Sequence, residues 1–275
     1  MKKLVGADEH LELLRSVEGE LKQLGDDYSV PLVARQPEGF PRPVGTGWFF
    51  RCELEWFLVT AAHVVEEFFP VGDRKKTKPS DSMLLVPGVD AAMVPLGGKW
   101  SLSDDYDVAI LRLESPSVVR DRWKPVTMAD LAPDEPEDQY PWYHVTGWPT
   151  EYSKRVEGGL AGDKFRFNAQ AEPVPAGDEF DRKMRIRFPL YRNDFGTIDG
   201  NEASHPQLRG ISGAPVWRIF EDGNRYRPLL AGVQVSYWDR HTVWYIDAVR
   251  WGCVRMLIEH SVPGLFKSAE KLVLR

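Results

Sequence analysis

Gly210-Ile211-Ser212-Gly213-Ala214-Pro215-Val216-Trp217 is the stretch on which the reading of this chain turns. A serine set between glycines suits a tight, exposed turn. Glycine takes backbone angles that a side chain forbids, and it lets another carbonyl approach the backbone N–H groups closely. Ala214 is small, Pro215 fixes the exit, and Val216, Trp217 and Ile219 read as the start of a buried strand. Such a turn holds a nucleophilic hydroxyl beside aligned N–H donors, as acyl transfer requires. Gly-x-Ser-Gly alone also describes an ordinary surface turn, so the functional reading needs a base and an orienting acid elsewhere in the chain.

Upstream, Val44-Gly45-Thr46-Gly47-Trp48-Phe49-Phe50 reads as a strand. A turn near Glu53 leads to Trp56-Phe57-Leu58-Val59-Thr60, the second strand of a hairpin, which runs into Ala61-Ala62-His63-Val64-Val65. Position alone suits a satisfied core histidine, but the small residues at 61 and 62 leave room beside the His63 imidazole. Further on, Ser103-Asp104-Asp105-Tyr106-Asp107 is an acidic turn before the apolar run Val108-Ala109-Ile110-Leu111. Asp107 is the last polar residue before that run. Drawn inward, its carboxylate needs a partner, and an imidazole N–H would serve. Asp104 and Asp105 read as solvated.

The whole chain of 275 residues is long enough for one large domain or two small barrels. Ten tryptophans and 21 prolines favour a β-rich, loop-rich fold. A net charge of -6 gives no general electrostatic reason to bind nucleic acid or anionic membrane. The first residues lack the apolar core of about 7–15 residues that a signal peptide needs, and no run of about 18 apolar residues is present. Cys52 and Cys253 read as separate core thiols, and no His/Cys pair has metal-ligand spacing. These features point to the cytoplasm, with no cofactor and no metal.

Leu14, Val17, Leu21 and Leu24 predict a helix over 8–24 that stops at Gly25. Residues 70–80 read as a basic hairpin tip, and strands are expected near 82–86 and 91–96. The proline-rich, acidic stretch 114–140 reads as a linker. Strands follow at 143–147 and near 164–172, 183–189, 213–219, 228–237 and 241–247. A helix is expected over 247–259, with Val249, Cys253, Met256 and Leu257 on one face.

Taken together, Thr60-Ala61-Ala62-His63, Asp107-Val108-Ala109-Ile110-Leu111 and Gly210-Ile211-Ser212-Gly213-Ala214-Pro215 resemble the His, Asp and Ser motifs of the chymotrypsin/trypsin-like serine peptidases, in that family's order. Thr146-Gly147-Trp148 resembles the segment that opens the family's second barrel. Leu230-Ala231-Gly232-Val233 through Trp238 resembles the strand lining the substrate cleft. The resemblance implies an all-β fold with flanking helices: two consecutive six-stranded antiparallel β-barrels, with an N-terminal and a C-terminal helix. Residues 1–30 would form a helical extension, 31–125 the barrel of His63 and Asp107, and 126–275 the barrel of Ser212 plus the last helix.

The resemblance also implies roles. Ser212 attacks, His63 carries the proton, Asp107 orients His63, and the N–H groups of Gly210 and Ser212 receive the oxyanion. Pro206, Val235, Ser236 and Tyr237 would bind substrate. The chain departs from the secreted digestive members. Ile211 stands where they carry an aspartate that pairs with a new N-terminal amine after zymogen cleavage, and the paired disulfides are missing. Pro206, near the base of the specificity pocket, offers no charge for Lys or Arg. The expected activity is a serine endopeptidase acting on a protein or peptide substrate, with narrow specificity or activation by a protein partner. Three other readings stay open: a catalytically silent peptidase fold used as a binding module, a serine esterase, and an α/β-hydrolase drawing on Asp239, Asp247, His241 or His260.

Overall fold

The computed structural model describes residues 7–35, 41–66, 83–88, 92–133, 141–156, 159–171, 181, 183–191, 208–222, 225–240 and 243–267. The basic stretch 70–80 and Pro206 lie outside them. The first half, after helix α1 (Ala7–Tyr28), holds β1 (Val30–Arg35), β2 (Arg42–Cys52), β3 (Glu55–Ala61), the one-turn helix α2 (Ala62–Val65), β4 (Met83–Pro87), β5 (Met93–Pro95), β6 (Gly98–Ser103) and β7 (Val108–Leu113). They build one antiparallel sheet in the order β5-β4-β1-β2-β3-β7-β6. Helix α3 (Ser117–Arg120) follows. The second half holds β8 (Trp142–Gly147), the hairpin β9 (Ser153–Val156) and β10 (Gly159–Gly162), β11 (Phe165–Gln170), β12 (Arg185–Tyr191), β13 (Pro215–Asp222), β14 (Arg225–Arg240), β15 (Val243–Arg250) and α4 (Trp251–Ser261). Its main sheet runs β11-β8-β13-β14-β15-β12. These two curled antiparallel sheets give the chymotrypsin-like fold.

The first sheet has seven described strands where six were expected. The surplus comes from segments with weak strand signals. Pro31 obscures β1, yet only Val33 to Arg35 pair with β4, so the N–H that Pro31 lacks is not needed there. The central strands β3 and β7 are buried on both faces, which explains their continuous apolar runs.

The stretch expected to be a linker is packed where it is described. Trp123 and Val126 are buried, Val126 N–H donates to Phe49 O (2.7 Å), and Ala132 N–H donates to Leu230 O (2.8 Å), so the segment steps from the first sheet to the second. The terminal helices strap the halves in the opposite sense. Helix α1 places Val17 and Leu21 against Ile219 of the second sheet. Helix α4 brings Trp251, Cys253, Val254 and Ile258 into the first core, with the Trp251 and Phe50 rings 4.7 Å apart.

Two boundaries differ from expectation. Helix α1 passes through Gly25 and ends at Tyr28. A Cβ on Gly25 would lie 2.8 Å from Thr146 Cγ2, so this glycine permits close helix–sheet contact and does not stop the helix. Helix α4 starts at Trp251, because residues 247–250 stay in β15, with Asp247 opposite Arg187 and Arg250 opposite Gly232. Val249 is therefore a strand residue, and Met256 is exposed.

Candidate active site

Strand β3 leaves the first sheet at Ala61 and turns into α2, which carries His63. The same point receives β7. Ala62 N–H donates to Asp107 O (2.9 Å), and His63 N–H donates to Asp107 Oδ1 (3.0 Å). These bonds leave Asp107 Oδ2 to accept from His63 Nδ1–H at 2.7 Å. Asp107 sits at φ +54°, a left-handed conformation that Asp tolerates better than most side chains. The pair is half-buried, with side-chain exposures of 44% for His63 and 30% for Asp107, so Asp107 is less enclosed than its sequence position predicts. The hydrogen bond from Asp107 raises the His63 pKa above its ordinary value. Burial opposes this, and the charges of Asp107 and Glu66 add to it.

The departure of β3 also frees an edge of β2. The last β2–β3 pair is Trp48 with Val59, so Thr46 lies beyond it. The serine turn takes that edge. Thr46 N–H donates to Ser212 O (2.9 Å), and Thr60 Oγ1–H donates to Thr46 O (2.7 Å). Gly213 makes the approach feasible. At φ +90°, a Cβ there would lie 2.0 Å from Thr46 O and 2.2 Å from Thr60 Oγ1. Ser212 is thereby docked beside the segment that bears His63, although it belongs to the loop entering β13 of the second sheet.

Each carbonyl of the turn is held away from the site. Arg209 O accepts from Thr150 N–H (2.8 Å), Gly210 O from Thr46 Oγ1–H (2.8 Å), Ile211 O from Ala214 N–H (2.9 Å) and Ser212 O from Thr46 N–H. In a trans peptide the N–H points opposite its carbonyl. The N–H groups of Gly210 and Ser212 thus point away from the anchored carbonyls of Arg209 and Ile211, and among the described residues neither has a partner. Gly210 holds its place at φ +93°. Ile211 is fully buried against Gly147, so apolar packing fills the position before the serine. Among the described residues no hydrogen bond joins Ser212 Oγ to His63. Catalytic hydrogen bonds are commonly long without substrate and tighten as it binds.

Of the remaining expected residues, Val235 points into the first core, Ser236 lies opposite Asp247, and Tyr237 is partly exposed with its ring 6.3 Å from Trp244. Sequence reasoning missed Gln234, which brackets the serine turn by accepting from Gly213 N–H (2.7 Å) and donating to Ala214 O (2.9 Å). It also missed the roles of Thr46 and Thr150. A polar residue between two glycines in an apolar strand, Gly45-Thr46-Gly47, was the available signal for Thr46.

The α/β-hydrolase reading does not survive. The sheets are antiparallel, Ser212 leads into a strand, Asp247 pairs with Arg187 and His260 lies in α4. Cys52 and Cys253 are buried and are not joined in a disulfide. Among the described residues no cluster of three or more His, Cys, Asp or Glu is arranged for a metal ion, and no helix is long and apolar enough to cross a membrane.

The family model described as trypsin matches residues 53–166, a span that holds His63 and Asp107 and ends before Ser212. A comparison with curated proteins finds no match.

Proposed function

We infer, from the chain's place in the chymotrypsin/trypsin-like serine peptidase family, that it is a serine endopeptidase working through Ser212, His63 and Asp107. The observation that carries the reading is the contact of 2.7 Å between His63 Nδ1 and Asp107 Oδ2 beside a serine turn with outward-held carbonyls. Ser212 Oγ attacks the scissile carbonyl carbon while its proton passes to His63 Nε2. The C–O bond forms, and the carbonyl oxygen takes up negative charge facing the N–H groups of Gly210 and Ser212. As the C–N bond breaks, His63 gives its proton to the leaving amine. Water, deprotonated by His63, then hydrolyses the acyl-enzyme.

The open turn speaks against a silent binding module. It also favours narrow specificity over a turn ordered only by a protein partner, because the chain's own groups already satisfy its carbonyls. Substrate is a protein or peptide. Two buried cysteines without a disulfide suit a reducing compartment such as the cytoplasm. The test is to incubate the purified chain with a diverse peptide library, casein and small esters. Cleavage of few peptides, lost in Ser212→Ala, is expected. Turnover of esters with every peptide left intact would establish an esterase, and rapid cleavage of casein at many sites would remove the narrow specificity.

A further inference from the structure

We propose that Thr46 is a positioning residue that locks the oxyanion-binding turn in its open state. The inference deepens the peptidase reading and rests on it. Thr46 is fully buried, and its N–H and hydroxyl are both used across the interface between the halves, while its carbonyl is held within the first. Its N–H holds Ser212 O, and its carbonyl accepts from Thr60 Oγ1–H. Its hydroxyl donates to Gly210 O at 2.8 Å and accepts from Trp148 N–H at 2.9 Å.

The hydroxyl is the part that no backbone group could replace. A hydroxyl has one hydrogen to donate, and accepting from Trp148 N–H aims that hydrogen at Gly210 O. Trp148 is itself anchored, since its indole N–H donates to Ser29 O (3.0 Å) and Lys164 Nζ lies 5.1 Å from its ring centroid. The donor that aims Thr46 is therefore fixed from outside the turn. Gly210, at φ +93°, has no side chain to hold its peptide planes, and the peptide it shares with Ile211 is held by the Thr46 hydroxyl on its carbonyl (2.8 Å) and by a longer bond from Ile211 N–H to Leu208 O (3.3 Å). Without the hydroxyl, Gly210 O and Trp148 N–H are left unpaired in a part-buried place, and rotation of the Gly210 peptide becomes the way to satisfy them.

Three forms of the full chain test this: wild type, Thr46→Val and Thr46→Ser. Valine keeps the shape and the backbone bonds, whereas serine keeps the hydroxyl. Thr46→Val should lower kcat about tenfold to a hundredfold with KM nearly unchanged, since the lost effect lies on transition-state charge. Its fluorophosphonate labelling should slow in parallel, and Thr46→Ser should restore both. Amide hydrogen exchange over 208–214 should quicken in Thr46→Val alone. Equal kcat in Thr46→Val and wild type, a change confined to KM, or a serine variant as impaired as the valine one would each overturn the proposal. If wild-type Ser212 proved unreactive, the peptidase reading would fall by itself. Exchange over 208–214 would then decide the lock, with equal rates in wild type and Thr46→Val overturning it.

Discussion

Two of the chain's six histidines, His63 in the first half and His144 in the second, have opposite surroundings. His63 is half-exposed, bonded to a carboxylate, and its pKa is raised. His144, in β8, is 2% exposed. Its Nδ1–H donates to Asn168 Oδ1 (2.9 Å), and its Nε2 accepts from the Thr146 hydroxyl (2.8 Å). Burial, aided by the nearby Arg166 charge, pushes its pKa down to about 4, while the Asn168 bond opposes the fall. An anionic partner makes an imidazole a base that can hold a proton near neutrality. Neutral partners in a sealed site keep it an uncharged strut down to about pH 4. Residue type therefore says little here, and the partner says most.

The sharpest way to break this comparison is to remove each ring. His63→Ala should lower peptide cleavage by about 10⁴-fold or more at unchanged stability. His144→Gln should keep kcat near wild type but unfold at lower urea. Kinetics and urea melts on the same preparations would show either pattern reversed. Asp107→Asn comes next, with a loss on the order of 10⁴-fold in kcat. Asn also tolerates the left-handed backbone at this position, so the melt should barely change.

Stability against pH is the third test. His144 refuses a proton in the folded state that it accepts when unfolded. Stability should therefore fall as pH drops from about 6.5 towards about 4, by roughly 3 kcal/mol in all, and level off below. Urea titrations across that range should show the slope in wild type and lose it in His144→Gln. The smallest effect concerns the acid limb of kcat/KM. A base with a raised pKa is protonated over a wider range, so the limb should lie above the ordinary histidine value and move down in Asp107→Asn.

The contrast also explains what the sequence made legible. His63, Asp107 and Ser212 stand in short, locally odd contexts: a polar residue after an apolar strand, an acid before one, a serine among glycines. Their local chemistry showed in one dimension. Thr46, Trp148 and Gln234 act through bonds to residues twenty or more positions away, and nothing beside them in the chain announces those partners. Gly25 misled for a related reason, since the need for a missing side chain came from Thr146 on another element. The strands β13, β14 and β15 were legible from their apolar runs, while the β9–β10 hairpin had no apolar pattern to mark it.

The central claim is that Ser212 is an activated nucleophile because His63, held by Asp107, is a ready base. Labelling of the purified chain with a fluorophosphonate probe tests it most directly, comparing wild type with Ser212→Ala, His63→Ala and His144→Gln. The account predicts labelling on Ser212 in wild type and His144→Gln, none in Ser212→Ala, and a rate near background in His63→Ala. Equal labelling of wild type and His63→Ala, or an unlabelled wild type, would contradict it.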